Sequence, residues 1–148
     1  MQEIKVQPLT VAAFALFGDL LDISGAPDKI INQGNCARYH DRAAMDFTNG
    51  AAGISLFDAK PRCLPYQLDM MERHPLSSQA FIPMNYAPFL IVAAQDAGGT
   101  PGRPKAFLSA SGQGINFHRN VWHGVLTPLH KPGLFAVVDR IGEGSNLE

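Results

Sequence analysis

The chain reads Glu72-Arg73-His74-Pro75, with Gln79 shortly after, and much later His118-Arg119-Asn120-Val121-Trp122-His123. Side chains two residues apart on a β-strand point to the same side of a sheet, so an extended stretch places Glu72 and His74 together. The spacings allow Gln79 and His123 to reach the same pocket. Oxygen and nitrogen donors aimed at one point inside a β-barrel make a metal site or an acid–base site. These two stretches therefore predict a β architecture and locate its functional pocket.

Short hydrophobic and β-branched runs follow one another along most of the chain, and Gly, Pro, Asn, Asp or Ser marks most of the gaps. We expect strands at residues 4–8, 20–23, 53–57, 66–71, 79–84, 88–94, 105–109, 115–117, 122–126 and 133–138. One short N-terminal helix is expected, with Thr10 as N-cap, Val11, Phe14 and Phe17 at helical spacing, and Gly18 at its end. Residues 96–104, rich in Gly and Pro, predict a surface loop. This pattern is typical of an all-β barrel or jelly roll.

Composition narrows the classes of protein to consider. The chain has 148 residues, 46% of them hydrophobic, and a formal net charge of −1, which predicts a single domain over residues 1–148 with its own core. We expect no nucleic-acid partner, because no basic run is present, and no membrane partner, because the longest apolar run, 89–94, is too short to cross a bilayer. Cys36 and Cys63 match no metal-binding spacing; they could form one bridge, but the lack of a signal peptide favours a cytoplasmic, reducing location.

Two motifs resemble those of the cupin superfamily. Glu72, His74 and Gln79 stand at the two His positions and the Glu position of the first cupin motif, although its flanking glycines are absent. The second motif is matched in register by Gly112, His118, Asn120 and His123. Asn120 stands where a glycine is usual, and Asn tolerates the left-handed backbone conformation. His118 replaces a turn proline and adds a polar group at the mouth of the site. The resemblance implies a cupin-type double-stranded β-helix, that is, a jelly-roll barrel.

A longer resemblance is to the ureidoglycolate lyase family. It rests on Arg38-Tyr39-His40-Asp41, Glu72-Arg73-His74-Pro75-Leu76, Gln79-Ala80-Phe81-Ile82-Pro83-Met84, Gly114-Ile115-Asn116-Phe117-His118-Arg119-Asn120-Val121-Trp122-His123 and Asp139-Arg140, in this order. The resemblance implies a homodimeric enzyme of allantoin (purine) degradation that splits (S)-ureidoglycolate into glyoxylate and urea. It also implies activity supported by a divalent metal, nickel being the ion associated with the family.

The chemistry of that substrate gives roles to individual side chains. Its reacting carbon bears a hydroxyl, a carboxylate and a urea nitrogen, so cleavage requires a base or metal at the hydroxyl and an acid at the leaving nitrogen. Glu72, His74 and His123 are candidate catalytic residues and metal ligands, with Gln79 as a neutral fourth ligand. Such a donor set suits borderline first-row metals better than Mg or Ca. His118 is the candidate proton donor, because His titrates near neutral pH.

The substrate carboxylate calls for a cation, ideally an arginine that donates two parallel hydrogen bonds. The candidate substrate-binding residues are Arg38, Arg73, Arg119, Arg140 and Asn120. Strand alternation points Arg73 away from Glu72 and His74, which favours Arg38, Arg119 or Arg140.

Each candidate also has a structural interpretation. Glu72 can belong to an ordinary ion pair, Gln79 can satisfy buried backbone groups, and a lone His on a strand is often only hydrogen-bonded. Two other functions stay open: an amidohydrolase that releases ammonia from the same substrate, and a non-catalytic cupin that binds a small molecule. Without a metal, the same side chains would act as acid–base and substrate-orienting groups.

Overall fold

The computed structural model describes residues 2–148, and in that range the protein is almost entirely β-structure with one short α-helix. The helix α1 is Val11–Phe14, and a 3-10 turn covers Asn32–Gly34. The strands are β1 Val6–Pro8, β2 Gly18–Leu21, β3 Lys29–Ile31, β4 Cys36–Arg38, β5 Ala51–Asp58, β6 Gln79–Pro83, β7 Phe89–Ala94, β8 Lys105–Leu108, β9 Gly114–Phe117, β10 Trp122–His123, β11 Thr127–Pro128 and β12 Leu134–Ile141.

Two five-stranded sheets contain most of these strands. The first sheet has the order β1-β8-β7-β10, with β11 also paired to β7; the second has the order β2-β9-β6-β12-β5. Strands β3 and β4 form a separate hairpin. Only β1 and β8 pair in parallel among the described residues. The two sheets contribute to one hydrophobic core, as in a β-sandwich.

Aromatic side chains fill the space between the sheets. Phe89 and Phe107 come from the first sheet, and Phe81, Phe117 and Phe135 come from the second. Each is at most 5% exposed, and burial of such a side chain is worth roughly 1.5–3 kcal/mol. Edge-to-face pairs such as Phe89 with Phe135, whose ring centroids are 4.9 Å apart, fix how the sheets meet. The core therefore holds the inward faces of β6 and β9 in a defined position, and the functional site uses those faces.

The all-β class and the short N-terminal helix are confirmed, and the two packed sheets agree with a cupin-type sandwich; closure of the sheets into a barrel stays a prediction. The hydroxyl of Thr10 accepts a hydrogen bond from the Ala13 N–H at 3.1 Å, so Thr10 caps the helix as predicted. Gly18, however, begins β2 rather than ending the helix. A Cβ at this position would lie 1.8 Å from the carbonyl oxygen of Asn116, so the close pairing of β2 with β9 requires glycine.

The predicted strand at 66–71 is wrong. This segment forms no ladder, and Tyr66, Leu68 and Met71 instead cover Leu90 and Val92 on the outer side of the first sheet. Its apolar residues alternate because the segment packs on a sheet rather than joining one. The hairpin of β3 and β4 was missed. The strand expected at 122–126 is confirmed only at 122–123, where β10 lies, and β11 begins after its predicted end.

The loop at 96–104 is confirmed as mostly exposed, with a single bridge between Asp96 and Pro101. None of the helical segments within residues 2–148 has the length and apolar character needed to span a membrane.

Candidate metal centre

The structure brings together Glu72, His74 and His123. Each offers one potential ligand atom, and these three atoms lie within 4.8 Å of one another. The imidazole centroids of His74 and His123 are 5.3 Å apart. Glu72 and His123 form an isolated antiparallel bridge in which each backbone N–H donates to the other's carbonyl at 2.8 Å. The two distant stretches of sequence therefore meet at one point, as their pattern predicted.

The hydrogen bonds of the two rings define their tautomers. Nδ1 of His74 lies 2.7 Å from the carbonyl oxygen of Asn146, and Nδ1 of His123 lies 2.9 Å from that of Gly124. Because a carbonyl oxygen can only accept, each Nδ1 carries the proton and donates it. In the neutral form of each ring, Nε2 carries a free lone pair, and both Nε2 atoms are buried without a hydrogen-bond partner. A neutral imidazole with a free lone pair is the form that binds a metal.

Gln79 adds a third unpartnered atom on the inward face of β6. Its Nε2 donates to Asp139 Oδ2 at 3.1 Å, which fixes the orientation of the amide and leaves Oε1 buried without a partner. Gln79 lies opposite Phe117 in the ladder of β6 and β9, and the Phe117 ring stacks on His123 at 4.3 Å. Gln79 therefore points to the same side of the second sheet as the ring that packs against His123.

His123 is the most deeply buried member of the cluster, with 2% of its surface exposed. Burial lowers the pKa of His123 to about 4, since it removes water from the charged form; the nearby His74 lowers it further, against the opposing effect of the Gly124 carbonyl. The ring of Phe117 lies almost parallel to it, at an interplanar angle of 7°. At neutral pH this imidazole is uncharged and held flat, as a ligand requires.

The core around Phe117, whose ring stacks on His123, is apolar and nearly filled. A void of about 10 Å³, lined by residues that include Phe81, Phe117 and Gly124, has room for about one water at most. This void is therefore too small to hold a substrate. Glu72 and His74 are only half-buried, so the accessible approach is on their side.

These observations fit a divalent metal. An unsatisfied buried polar atom costs about 1–3 kcal/mol, and in the region that the structure describes, three of the four such atoms belong to His74, His123 and Gln79. A cation held by the two imidazoles and the carboxylate would satisfy the two Nε2 atoms, and Gln79 Oε1, on the same side of the second sheet as Phe117, is a candidate fourth donor. That donor set suits a first-row transition metal.

His118 lies apart from this cluster. Alternation along β9 points Ile115 and Phe117 into the core, so Asn116 and His118 face the other way. His118 Nε2 lies 2.9 Å from Asp19 Oδ2. The same carboxylate oxygen accepts from Asn116 and from the Ala44 N–H. Partial burial alone would raise the pKa of Asp19, but these hydrogen bonds and His118 outweigh burial and hold it below its usual value. We name Asp19, Asn116 and His118 the outer-face cluster.

The candidate arginines all lie outside the cluster of Glu72, His74 and His123. Arg73 pairs with Asp96 and Glu148, and its guanidinium stacks on Trp122 with its carbon 4.7 Å from the ring centroid. That placement follows the strand alternation that points it away from Glu72 and His74.

The other candidate substrate-binding residues have different surroundings. Arg140 donates to the carbonyls of Thr48, Asn49 and Glu143. Arg119 contacts Thr48 and Asp46, and Arg38 is exposed on the hairpin strand β4. Asn120 adopts a left-handed φ of 67°, as its place in the motif predicted, and its N–H donates to the His74 carbonyl at 3.1 Å.

Sequence reasoning missed two residues that hold these ligands. Asp139 accepts a hydrogen bond from the Gln79 amide and fixes its orientation. It lies in β12 two residues after Val137 and four after Phe135, both buried, and this alternation could have predicted an inward-facing carboxylate. The backbone carbonyl of Asn146 accepts a hydrogen bond from His74, and no local sequence pattern predicts a contact between residues so far apart in the chain.

The comparisons with known proteins agree with this geometry. The ureidoglycolate lyase family model matches residues 1–148. A ureidoglycolate lyase of Rhodobacter capsulatus is 58% identical over 149 residues, covering 100% of this chain and 92% of the relative. A ureidoglycolate lyase of Mesorhizobium japonicum is 51% identical, and ureidoglycolate lyase 2 of Rhizobium meliloti is 47% identical, each over 150 residues with the same coverage. The chain therefore belongs to the ureidoglycolate lyase family.

Proposed function

We propose that this protein cleaves (S)-ureidoglycolate to glyoxylate and urea at the cluster of Glu72, His74 and His123, as a step of allantoin degradation. One observation carries the proposal: a carboxylate and two imidazoles converge within 4.8 Å, with both Nε2 atoms unpartnered, in a chain of this lyase family. The reaction needs no water, oxidant or reductant. The hydroxyl proton leaves, the C=O bond forms, the C–N bond breaks, and the urea nitrogen gains a proton.

In this proposal His74, His123, Glu72 and Gln79 hold a divalent ion, and Ni²⁺ is the ion we propose. When bound, such an ion supplies Lewis-acid polarisation of the substrate hydroxyl and lowers the cost of removing its proton. An imidazole whose Nδ1 donates to a carbonyl and whose Nε2 binds a cation has no proton to give to the substrate, so both rings are suited to holding the ion. Phe117 and Phe81 pack against His123 and exclude water from its side of the site.

Proton transfer falls to Glu72 in this proposal. Its carboxylate belongs to the cluster and is half-buried, so one of its two oxygens can serve the substrate. It takes the hydroxyl proton and returns it to the leaving nitrogen. His118, the proton donor expected from the sequence, is engaged by Asp19 on the other face of the second sheet, which favours Glu72 for this role.

We propose Arg119 as the cation for the substrate carboxylate. It lies on the turn that joins β9 to β10, next to Asn120, whose N–H holds the backbone of His74. Its side chain is 42% exposed, so its guanidinium keeps donors that are free for a ligand. Replacement by Lys should raise KM more than it lowers kcat, because a bidentate contact is lost. Arg38→Lys, on the separate hairpin of β3 and β4, is the comparison: a larger rise in KM there than in Arg119→Lys would assign the carboxylate to Arg38 instead.

The direct experiment uses purified protein, racemic ureidoglycolate and separate assays for glyoxylate, urea and ammonia. We expect glyoxylate and urea to appear in equal amounts above the spontaneous background, with conversion stopping at half because one enantiomer is consumed. Ammonia in place of urea would identify an amidohydrolase. Binding of the substrate without turnover, with Ni²⁺, Mn²⁺ or Zn²⁺ supplied, would identify a binding protein instead.

We also propose that two copies associate through the outer face of the second sheet. Ile54, Leu56 and Ile82 are 75%, 65% and 42% exposed, and Leu56 and Ile82 lie in register on either side of Ala136. Exposed apolar patches of this kind mark interfaces, and a symmetric pair would cover both copies of the patch. Leu56→Lys should convert the dimer to a monomer in light scattering.

The free thiols of Cys36 and Cys63 support a cytoplasmic location.

A further inference from the structure

We propose that residues 144–148 act as a strap that sets the tautomer and orientation of His74, with Asn146 as the positioning residue. The inference rests on the proposed function only in taking His74 as a metal ligand. The strap lies along residues 73–77. Glu148 and Arg73 exchange backbone hydrogen bonds at 3.0 and 3.1 Å, and their side chains form an ion pair at 2.5 Å.

Asn146 is anchored by both ends of its side chain. Its Oδ1 accepts from the Leu76 N–H at 2.7 Å, and its Nδ2 donates to the hydroxyl of Ser77 at 2.9 Å. Ser77 is buried, with 1% of its surface exposed, so the second anchor lies inside the protein. The side chain therefore fixes the position of the Asn146 backbone, including the carbonyl oxygen that accepts from His74 Nδ1 at 2.7 Å.

The two histidines of the cluster obtain this hydrogen bond in different ways. His123 donates to the carbonyl of the next residue, Gly124, so its tautomer is set locally. His74 depends on a carbonyl from a segment far along the chain. A carbonyl behind a ligand ring selects the tautomer and holds the ring toward the ion, and loss of such a contact commonly weakens metal binding 10–100-fold.

Two variants separate this positioning role from a merely structural one. Asn146→Ala removes both anchors, and we expect Ni²⁺ or Co²⁺ affinity in calorimetry to fall by about 10–100-fold. Asn146→Asp keeps an oxygen for the Leu76 N–H and another that can accept from the Ser77 hydroxyl, so it should retain most of the affinity. Ser145→Ala is the control, because that hydroxyl contacts only the Leu147 carbonyl at the surface.

The second readout is nitrogen NMR of the imidazole rings in the metal-free protein. The wild type should show His74 protonated at Nδ1, and Asn146→Ala should show a mixture of tautomers while His123 is unchanged. Metal affinity equal to wild type in Asn146→Ala, or protonation of wild-type His74 at Nε2, would overturn the inference. The wild-type spectrum decides even if the Ala variant does not fold. Failure of the lyase assay would leave this result standing, because neither measurement uses the substrate.

Discussion

The inner cluster of Glu72, His74 and His123 and the outer-face cluster of Asp19, Asn116 and His118 contain similar residue types but differ in how their polar atoms are paired. In the outer-face cluster Asp19 Oδ2 accepts three hydrogen bonds, from the Ala44 N–H, Asn116 and His118. Among the buried side-chain atoms that the structure describes in this cluster, Asn116 Oδ1 alone lacks a partner. In the inner cluster the Nε2 atoms of His74 and His123 both lack a hydrogen-bond partner. A cluster that satisfies its own hydrogen bonds supports the fold, whereas one that leaves lone pairs free at one point is built for a ligand.

The largest expected effect tests the inner cluster directly. His74→Ala or His123→Ala removes one of its two imidazoles, and we expect lyase activity to fall by at least about 100-fold. Removing only a hydrogen-bond partner of a metal ligand typically costs about 10–100-fold, and loss of the ligand itself should cost more. His130→Ala, at an exposed loop position, is the control and should keep wild-type activity. Activity that survives either cluster substitution in a folded variant would contradict the proposed centre.

Removal of the metal should have the next largest effect. A chelator should abolish most turnover and lower the free energy of unfolding, by about 2.7 kcal/mol if the ion had been present at a hundred times its Kd. Ni²⁺ should restore both activity and thermal stability, whereas Mg²⁺ should not, since imidazole ligands suit first-row transition metals. An unchanged rate after verified metal loss would reassign Glu72 and the histidines to acid–base and substrate-orienting roles.

Substitution of His118 sharpens the comparison. Because His118 is tied to Asp19 on the other face, we expect His118→Asn to lower kcat by less than about tenfold, against the 10²–10⁴-fold typical of a lost general acid. Steady-state kinetics beside Glu72→Gln would measure the difference. A loss from His118→Asn as large as that from Glu72→Gln would restore His118 as the proton donor.

The smallest effect on activity is expected in the outer-face cluster, where Asp19→Asn should change stability instead. Its carboxylate accepts three hydrogen bonds, and a buried donor left without its partner costs about 1–3 kcal/mol. The pKa of Asp19 is below 3.8 in the folded protein, so its stabilising effect is fully present above pH 3.8 and is lost as pH falls through the folded value. Denaturant unfolding should therefore show wild type and variant converging at acid pH, with lyase activity nearly equal at neutral pH.

Local patterns predicted those parts of the site that depend on local geometry. Alternation indicated that Glu72 and His74 share a side and that Arg73 does not, and the motif predicted the left-handed backbone of Asn120. The same alternation misled at residues 66–71, because a segment that packs on the outside of a sheet shows the same period as a strand within it.

Apart from the meeting of Glu72 and His74 with His123, which the paired motifs predicted, contacts between distant parts of the chain were beyond such patterns. The side chain of Asn146 and the partners of Arg140 and Arg119 all lie many residues away in sequence. The sequence spacing of His118 likewise gave no indication that Asp19, on β2, would engage it. These features depend on which sheet face each strand presents, and that is decided only when the sheets have formed.

The bridge between Glu72 and His123 links assembly of the candidate metal centre to folding of the chain. Its two backbone hydrogen bonds close a large loop, and His123 joins Glu72 and His74 only after that closure. A partly folded chain would therefore offer a divalent ion Glu72 and His74 without the second imidazole, and it should bind that ion more weakly. Uptake of the ion would then distinguish finished molecules from unfinished ones, and a captured ion would in turn resist reopening of the loop.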